Sequence, residues 1–168
     1  TNPGNASLNT AVGYEALHLN TLGGGNSALG RFSLYSNTSG SGNSAVGVNS
    51  LYSNTYGANN SAVGSSALFS NTGGSYNSAL GYNAGRYIYD GINGNTTGSY
   101  SVFLGQDSRA LGDNQSNQIV IGYNAIGAGS NSVVLGNTSI TKTVLRGNVG
   151  VNTSSPQAAI DVYDGNIF

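Results

Sequence analysis

Asn26-Ser-Ala-Leu-Gly30, Asn43-Ser-Ala-Val-Gly47, Asn60-Ser-Ala-Val-Gly64 and Asn77-Ser-Ala-Leu-Gly81 follow Asn9-Thr-Ala-Val-Gly13, and each closing glycine lies 17 residues after the one before. A fixed period of this size marks a solenoid. The same register places Leu17, Leu34, Leu51 and Leu68 four residues after a glycine, and then Asn20-Thr21, Asn37-Thr38, Asn54-Thr55 and Asn71-Thr72. Two apolar spots per coil thus alternate with two polar corners.

Beyond Gly81 the apolar triplet and its glycine recur at Gly105, Gly122 and Gly136, at steps of 24, 17 and 14 residues. The repeat therefore defines about eight coils over residues 1–136, and the 24-residue step is a 17-residue coil with seven extra residues between Tyr82 and Ser101. Residues 137–168 form an extended β connector, in which Lys142-Thr-Val-Leu-Arg146 and Val149-Gly-Val151 alternate like strands. The motifs are too short and too glycine-bounded for helices. The fold class expected is all-β: a parallel β-roll solenoid with 17-residue coils (range 14 to 24).

Residues in the column before each glycine are Val12, Leu29, Val46, Val63, Leu80, Leu104, Ile121 and Leu135, and the preceding column is Ala11, Ala28, Ala45, Ala62, Ala79, Phe103, Val120 and Val134. Neighbouring strand positions point to opposite faces, yet both columns are apolar, so both faces need burial. A thin roll has one interior. Self-association around a shared axis, as a homotrimer, covers the other face, and the Val12 to Leu135 column is expected to serve core and trimer packing. Asparagines 9, 26, 43, 60 and 77, and 20, 37, 54 and 71, suit amide ladders at the corners.

Composition points to an elongated extracellular or virion protein. The 168 residues include no Cys, Met or Trp, one His and 27 Gly. Only 7% are charged, against about 25% in a typical domain. With net charge −1 and dispersed basic residues, no footprint for nucleic acid or anionic lipid is visible. No apolar run approaches the roughly 18 residues that span a bilayer, and no charged-then-apolar leader occurs, so neither nucleic acid nor membrane insertion is expected.

Catalysis has a thin inventory. Of Glu15, Asp90, Asp107, Asp113, Asp161 and Asp164, only Asp107 with Asp113, or Asp90 with either, suits a carboxylate pair, and turn use is the commoner role. His18 has no evident triad partner. The repeat offers Asn where a calcium-binding roll needs Asp. No catalytic residue, metal ligand or cofactor is assigned, and the protein is not expected to be an enzyme.

The Asn-Ser-Ala-Val-Gly repeats, with Asn117-Gln-Ile-Val-Ile-Gly122 and Asn131-Ser-Val-Val-Leu-Gly136, resemble head repeats of trimeric autotransporter adhesins, which are left-handed parallel β-rolls wound as homotrimers. The 17-residue form with Ser33-Leu-Tyr-Ser-Asn-Thr38 and Ser50-Leu-Tyr-Ser-Asn-Thr55 is closer to bacteriophage tail fibres, as are Gly147-Asn-Val-Gly-Val-Asn-Thr-Ser-Ser-Pro156 and Ala159-Ile-Asp-Val162. The resemblance implies a trimeric fibre shaft that supports or mediates attachment to a host cell surface, located in the virion. A bacterial surface adhesin head, extracellular or on the cell surface, is the alternative. An ice-binding solenoid, prompted by Thr21, Thr38, Thr55 and Thr72, is more distant.

Two places are candidates for recognition. Arg86, Tyr87, Tyr89 and Asp90 gather aromatic and charged groups in the insertion, suited to a host glycan or surface protein; the plainer reading is that these rings pack over the inserted loop or extend a strand. Tyr35, Tyr52 and Phe69, with His18, form a column one step beyond the coil leucine. It is either an outward stacking platform or a buried seam between chains. Gly85 and Arg109 replace the coil leucine, so packing is expected to change between residues 82 and 113.

Overall fold

A computed structural model describes residues 7–146 and the backbone of Val149–Val151 and Ile160–Val162. The chain divides into two compact units, 1–138 and 139–168. In the first, eight strands lie in one parallel sheet in sequence order: β1 (Thr10–Val12), β2 (Ser27–Leu29), β3 (Ser44–Val46), β4 (Ser61–Val63), β5 (Ser78–Leu80), β6 (Val102–Leu104), β7 (Gln118–Ile121) and β8 (Ser132–Leu135). Equivalent residues pair without slippage: Ala28 faces Ala45, then Ala62, then Ala79, then Phe103, then Val120. No helix occurs among the described residues. The expected all-β parallel solenoid is thus present.

The second unit contains β9 (Val149–Val151) paired parallel with β10 (Ile160–Val162). Lys142–Arg146, expected to run as a strand, is exposed and in no strand. The rest of the tail motif from Gly147 to Pro156 lies outside the described residues, apart from β9.

Strand alternation separates the two apolar columns. Ala28, Ala45, Ala62 and Ala79 are buried while Leu29, Val46, Val63 and Leu80 are 40–55% exposed. Val12, Leu29, Val46, Val63, Leu80 and Leu135 are therefore on the outside of the single chain, with Leu104 and Ile121 half-buried. They are not its core. The reason is geometric: the ladder asparagine and the alanine lie two residues apart on the inward face, so the residue before the glycine must face out. The interior is completed from the opposite wall by Leu34, Leu51 and Leu68, all fully buried.

Those leucines adopt a backbone that sequence reasoning does not anticipate. Leu17, Leu34, Leu51 and Leu68 have φ between 49° and 55°, the left-handed region disfavoured for a side chain with a Cβ. The position two residues earlier, at Phe32, Asn49, Ser66 and Asn83, is also left-handed. The alternation aims successive amides at opposite neighbours: Phe32 N donates back to Tyr14 O at 2.9 Å, and Leu34 N donates forward to Ser50 O at 3.0 Å. Inter-coil hydrogen bonds offset the conformational cost.

Glycine is required twice per coil by close approach. At Gly30, with φ of 140°, a Cβ would lie 2.5 Å from Gly47 O; at Gly40 it would lie 2.3 Å from Gly57 O. Buried alanine and leucine alternate until the insertion, where sizes invert. Phe103 occupies the alanine column, and Gly85 the leucine column, where a Cβ would sit 2.7 Å from the Phe103 ring. The missing leucine is replaced by a ring from the other wall.

This exchange makes a compensating pair. Phe103→Ala should destabilise the protein by about 3–5 kcal/mol, and Gly85→Leu alone should also destabilise it, by collision. The double variant restores the alanine–leucine pattern of the earlier coils, so urea unfolding should show it more stable than the sum of the single effects allows.

Candidate functional site

The side wall around the insertion is built from the last regular coil outward. Arg86 takes the column position after Phe69, and Asn95 the position after Asn71, so the seven extra residues fall between Arg86 and Asn95. They form a small hairpin. Asn95 N donates to Arg86 O (3.0 Å) and Ile88 N to Asn93 O (2.9 Å), bracketing an antiparallel Tyr87–Gly94 pair. Its ascending arm stays in the stack through a parallel bridge between Ile88 and Ala110.

Asp90 closes the hairpin tip. One carboxylate oxygen accepts from Ile92 N and Asn93 N, each at 2.9 Å, and the other from Asn93 Nδ2 at 2.6 Å. The Ile92 and Asn93 amides hold this carboxyl below its ordinary value, with the Arg109 charge adding to the effect. Arg86 is held in place through its guanidinium face and Nη1, while its buried Nε has no hydrogen-bond partner. Its guanidinium lies 4.3 Å from the Phe69 ring centroid and 4.6 Å from that of Tyr87, and Nη1 donates to Asn83 Oδ1 at 3.0 Å. Asn83 Nδ2 in turn donates to Asp107, and Arg109 donates to Asn124.

Of Arg86, Tyr87, Tyr89 and Asp90, only Tyr89 stands clear, at 59% exposure. The other three are half-buried and build the hairpin rather than display it. Ile92, overlooked in the sequence, is 79% exposed at the tip; its place between Gly91 and the Asn93-Gly94 turn was the available signal.

The aromatic column forms a continuous stack. His18–Tyr35, Tyr35–Tyr52 and Tyr52–Phe69 have centroid separations of 5.3, 5.1 and 5.0 Å with rings within 6° of parallel, and Arg86 continues the file. Ring faces cover one another, so a ligand approaching from the side meets edges. A face-on stacking platform is not what the geometry offers. Phe32 sets its ring perpendicular to Tyr35 and Tyr52, beneath the Arg31 guanidinium at 4.3 Å. A second stack, Tyr76 on Tyr100 at 5.1 Å, joins residues separated by the 24-residue step, a spacing that the 17-residue period conceals.

Polar columns are consumed by the stack. Thr21, Thr38 and Thr55 each donate Oγ1 to the next threonine's carbonyl at 3.0 Å. Asp113 stands where that file would place a further threonine, and its carboxylate accepts from the amides and hydroxyls of Thr96 and Thr97 and from Asn114 N. Burial opposes its ionisation, but the Thr96 hydroxyl and the Thr97, Thr96 and Asn114 amides outweigh it and leave the carboxyl below its usual range. Asp90, Asp107 and Asp113 thus each serve separate structural bonds. No cluster of three His, Cys, Asp or Glu suited to a metal occurs among the described residues, and no helix there is long and apolar enough to cross a membrane.

The outer sheet face carries an exposed apolar strip. Along it run Leu29, Val46, Val63 and Leu80, flanked by Ser27, Ser44, Ser61 and Ser78, and then by Val102, Ile119 and Val133, so the face grows more apolar toward β8. Compared with known protein families, with curated proteins and with solved structures, the chain matches none.

The Asp113 arrangement has a definite pH signature. Its carboxyl is depressed in the folded state, so the stabilisation is present above the free-aspartate value of 3.8 and is lost as pH falls through the lower folded value. The thermal midpoint of the native protein should exceed that of Asp113→Asn at neutral pH, and the gap should close in acid below about pH 4. A gap independent of pH would contradict the assignment.

Proposed function

We propose that this chain is a shaft segment of a homotrimeric fibre, of the kind found in phage tail fibres, which supports or mediates attachment to a host cell surface. The observation that carries the reading is the exposed column Val12, Leu29, Val46, Val63, Leu80 and Leu135 on the outside of a parallel sheet whose inner face is already filled. Parallel sheets are normally covered on both faces, and an apolar strip continuing over eight strands differs from the scattered apolar residues of ordinary surfaces. Copies of the same column packed about a common axis cover it. The number three rests on the resemblance of the repeats to trimeric fibres and adhesins.

In this reading Tyr89 and Ile92 on the inserted hairpin are the side-wall groups presented to a host glycan or surface protein. A bacterial adhesin head would use the same roll; the 17-residue coil and the tail motif favour the fibre. The ice-binding reading is weakened because the threonine hydroxyls donate within the stack and form a single file.

Light scattering of the purified protein should give the mass of three chains, persisting in detergent until the sample is heated. Val46→Asp, a charge in the middle of the outer strip, should abolish assembly and with it most folded structure. A folded wild-type monomer, or an Asp variant of unchanged mass and stability, would sink the proposal.

A further inference from the structure

We infer that Asn93 is a site of spontaneous deamidation, a modification confined to the tip of the inserted hairpin. Asn93-Gly94 is the only Asn-Gly pair in the sequence. The reaction needs a following backbone nitrogen free to attack, no side chain shielding it, and access to water. Gly94 has no side chain. The hairpin's two bonds, Ile88 N to Asn93 O and Asn95 N to Arg86 O, bracket the Tyr87–Gly94 pair, which is the non-hydrogen-bonded kind of pair in an antiparallel ladder. The hairpin ladder therefore makes no use of the Gly94 amide, and Asn93 itself is exposed.

The first interior file differs in burial and in the residue that follows, not in side-chain engagement, since Asn93 Nδ2 itself donates to Asp90. Asn26, Asn43 and Asn60 are buried, their Nδ2 and Oδ1 atoms are engaged, and serine follows each of them. Exposure and a following glycine, two features that favour asparagine thermolability, coincide at Asn93 among the described residues.

Gly94 N, losing its proton to solvent base, attacks Asn93 Cγ. A C–N bond forms, the Cγ–Nδ2 bond breaks, and the nitrogen leaves as ammonia after taking a proton from water. The cyclic imide is then opened by water at either carbonyl, giving aspartate or isoaspartate, with no change in oxidation state. The consequence is electrostatic. Asn93 Nδ2 is a donor 2.6 Å from Asp90 Oδ2, and the product puts a second carboxylate there, where like charges repel. The turn that presents Tyr89 and Ile92 loosens as the protein ages.

The test is ageing of the intact, folded protein in mildly alkaline buffer, followed by peptide mass mapping and enzymatic methylation specific for isoaspartate. The expected result is loss of the Asn93 amide to a mixture of aspartate and isoaspartate, with Asn26, Asn43 and Asn60 unchanged and no such product in Asn93→Gln. Retention of Asn93 to the same extent as the interior asparagines overturns the inference. So does conversion to aspartate without isoaspartate, which would exclude the cyclic intermediate.

Discussion

Through the regular coils, from β1 to β5, two files of asparagines clamp each coil to the next in one register. In the first file Asn43 N donates to Asn26 Oδ1 and Asn60 N to Asn43 Oδ1, both at 2.9 Å. In the second, Asn37, Asn54 and Asn71 pass an amide proton to the preceding Oδ1 at 2.7–2.8 Å. The files meet at shared acceptors: Gly57 O receives both Asn43 Nδ2 and Asn54 Nδ2. A buried amide left without these partners costs about 1–3 kcal/mol, so slippage by one residue is penalised at every coil at once. The glycine at the junction is needed because any side chain would collide with the next coil's carbonyl.

A roll clamped this way has room for little else inside. Asparagine takes the corners, leaving alanine from one wall and leucine from the other, or Phe103 where Gly85 yields space. Larger apolar residues are displaced to the outer sheet face, which is why a chain with a well-filled interior still displays a strip of Val and Leu. The asparagine gives way toward the C-terminal end: Ser101 N still donates to Asn77 Oδ1 and Gln118 N to Ser101 Oγ, but the Gln118 side chain is buried with neither polar atom partnered. Gly127 makes room for it, since a Cβ there would lie 2.1 Å from Gln118 Oε1.

Much of the architecture could be read from spacing alone, because a strict period fixes which residues stack whatever path the chain takes between them. The amide files, the buried leucines and the place of the insertion follow from that. The path itself was hidden: nothing in Leu34 or Phe32 signals a left-handed backbone, a conformation imposed by hydrogen bonds to neighbouring coils. Asn117 and Asn131 illustrate the limit of motif matching. They precede the closing glycine by five residues rather than four, so they leave the interior file, lie exposed and bond to each other at 2.9 Å. In the insertion, residue types suggested a charged recognition loop. The structure instead uses Arg86 to cap the ring stack and Asp90 to close a turn, roles that depend on partners brought in by folding.

The most direct test of the clamp is hydrogen exchange at the side-chain amides of Asn43 and Asn54, followed by NMR. If the buried files hold the coils together, their Nδ2 protons exchange as slowly as the strand amides of Ala45 and Ala62, and only through global unfolding. Exchange at the rate of the exposed Asn93 side chain would show that the files are solvated and that the coil register is set by something else.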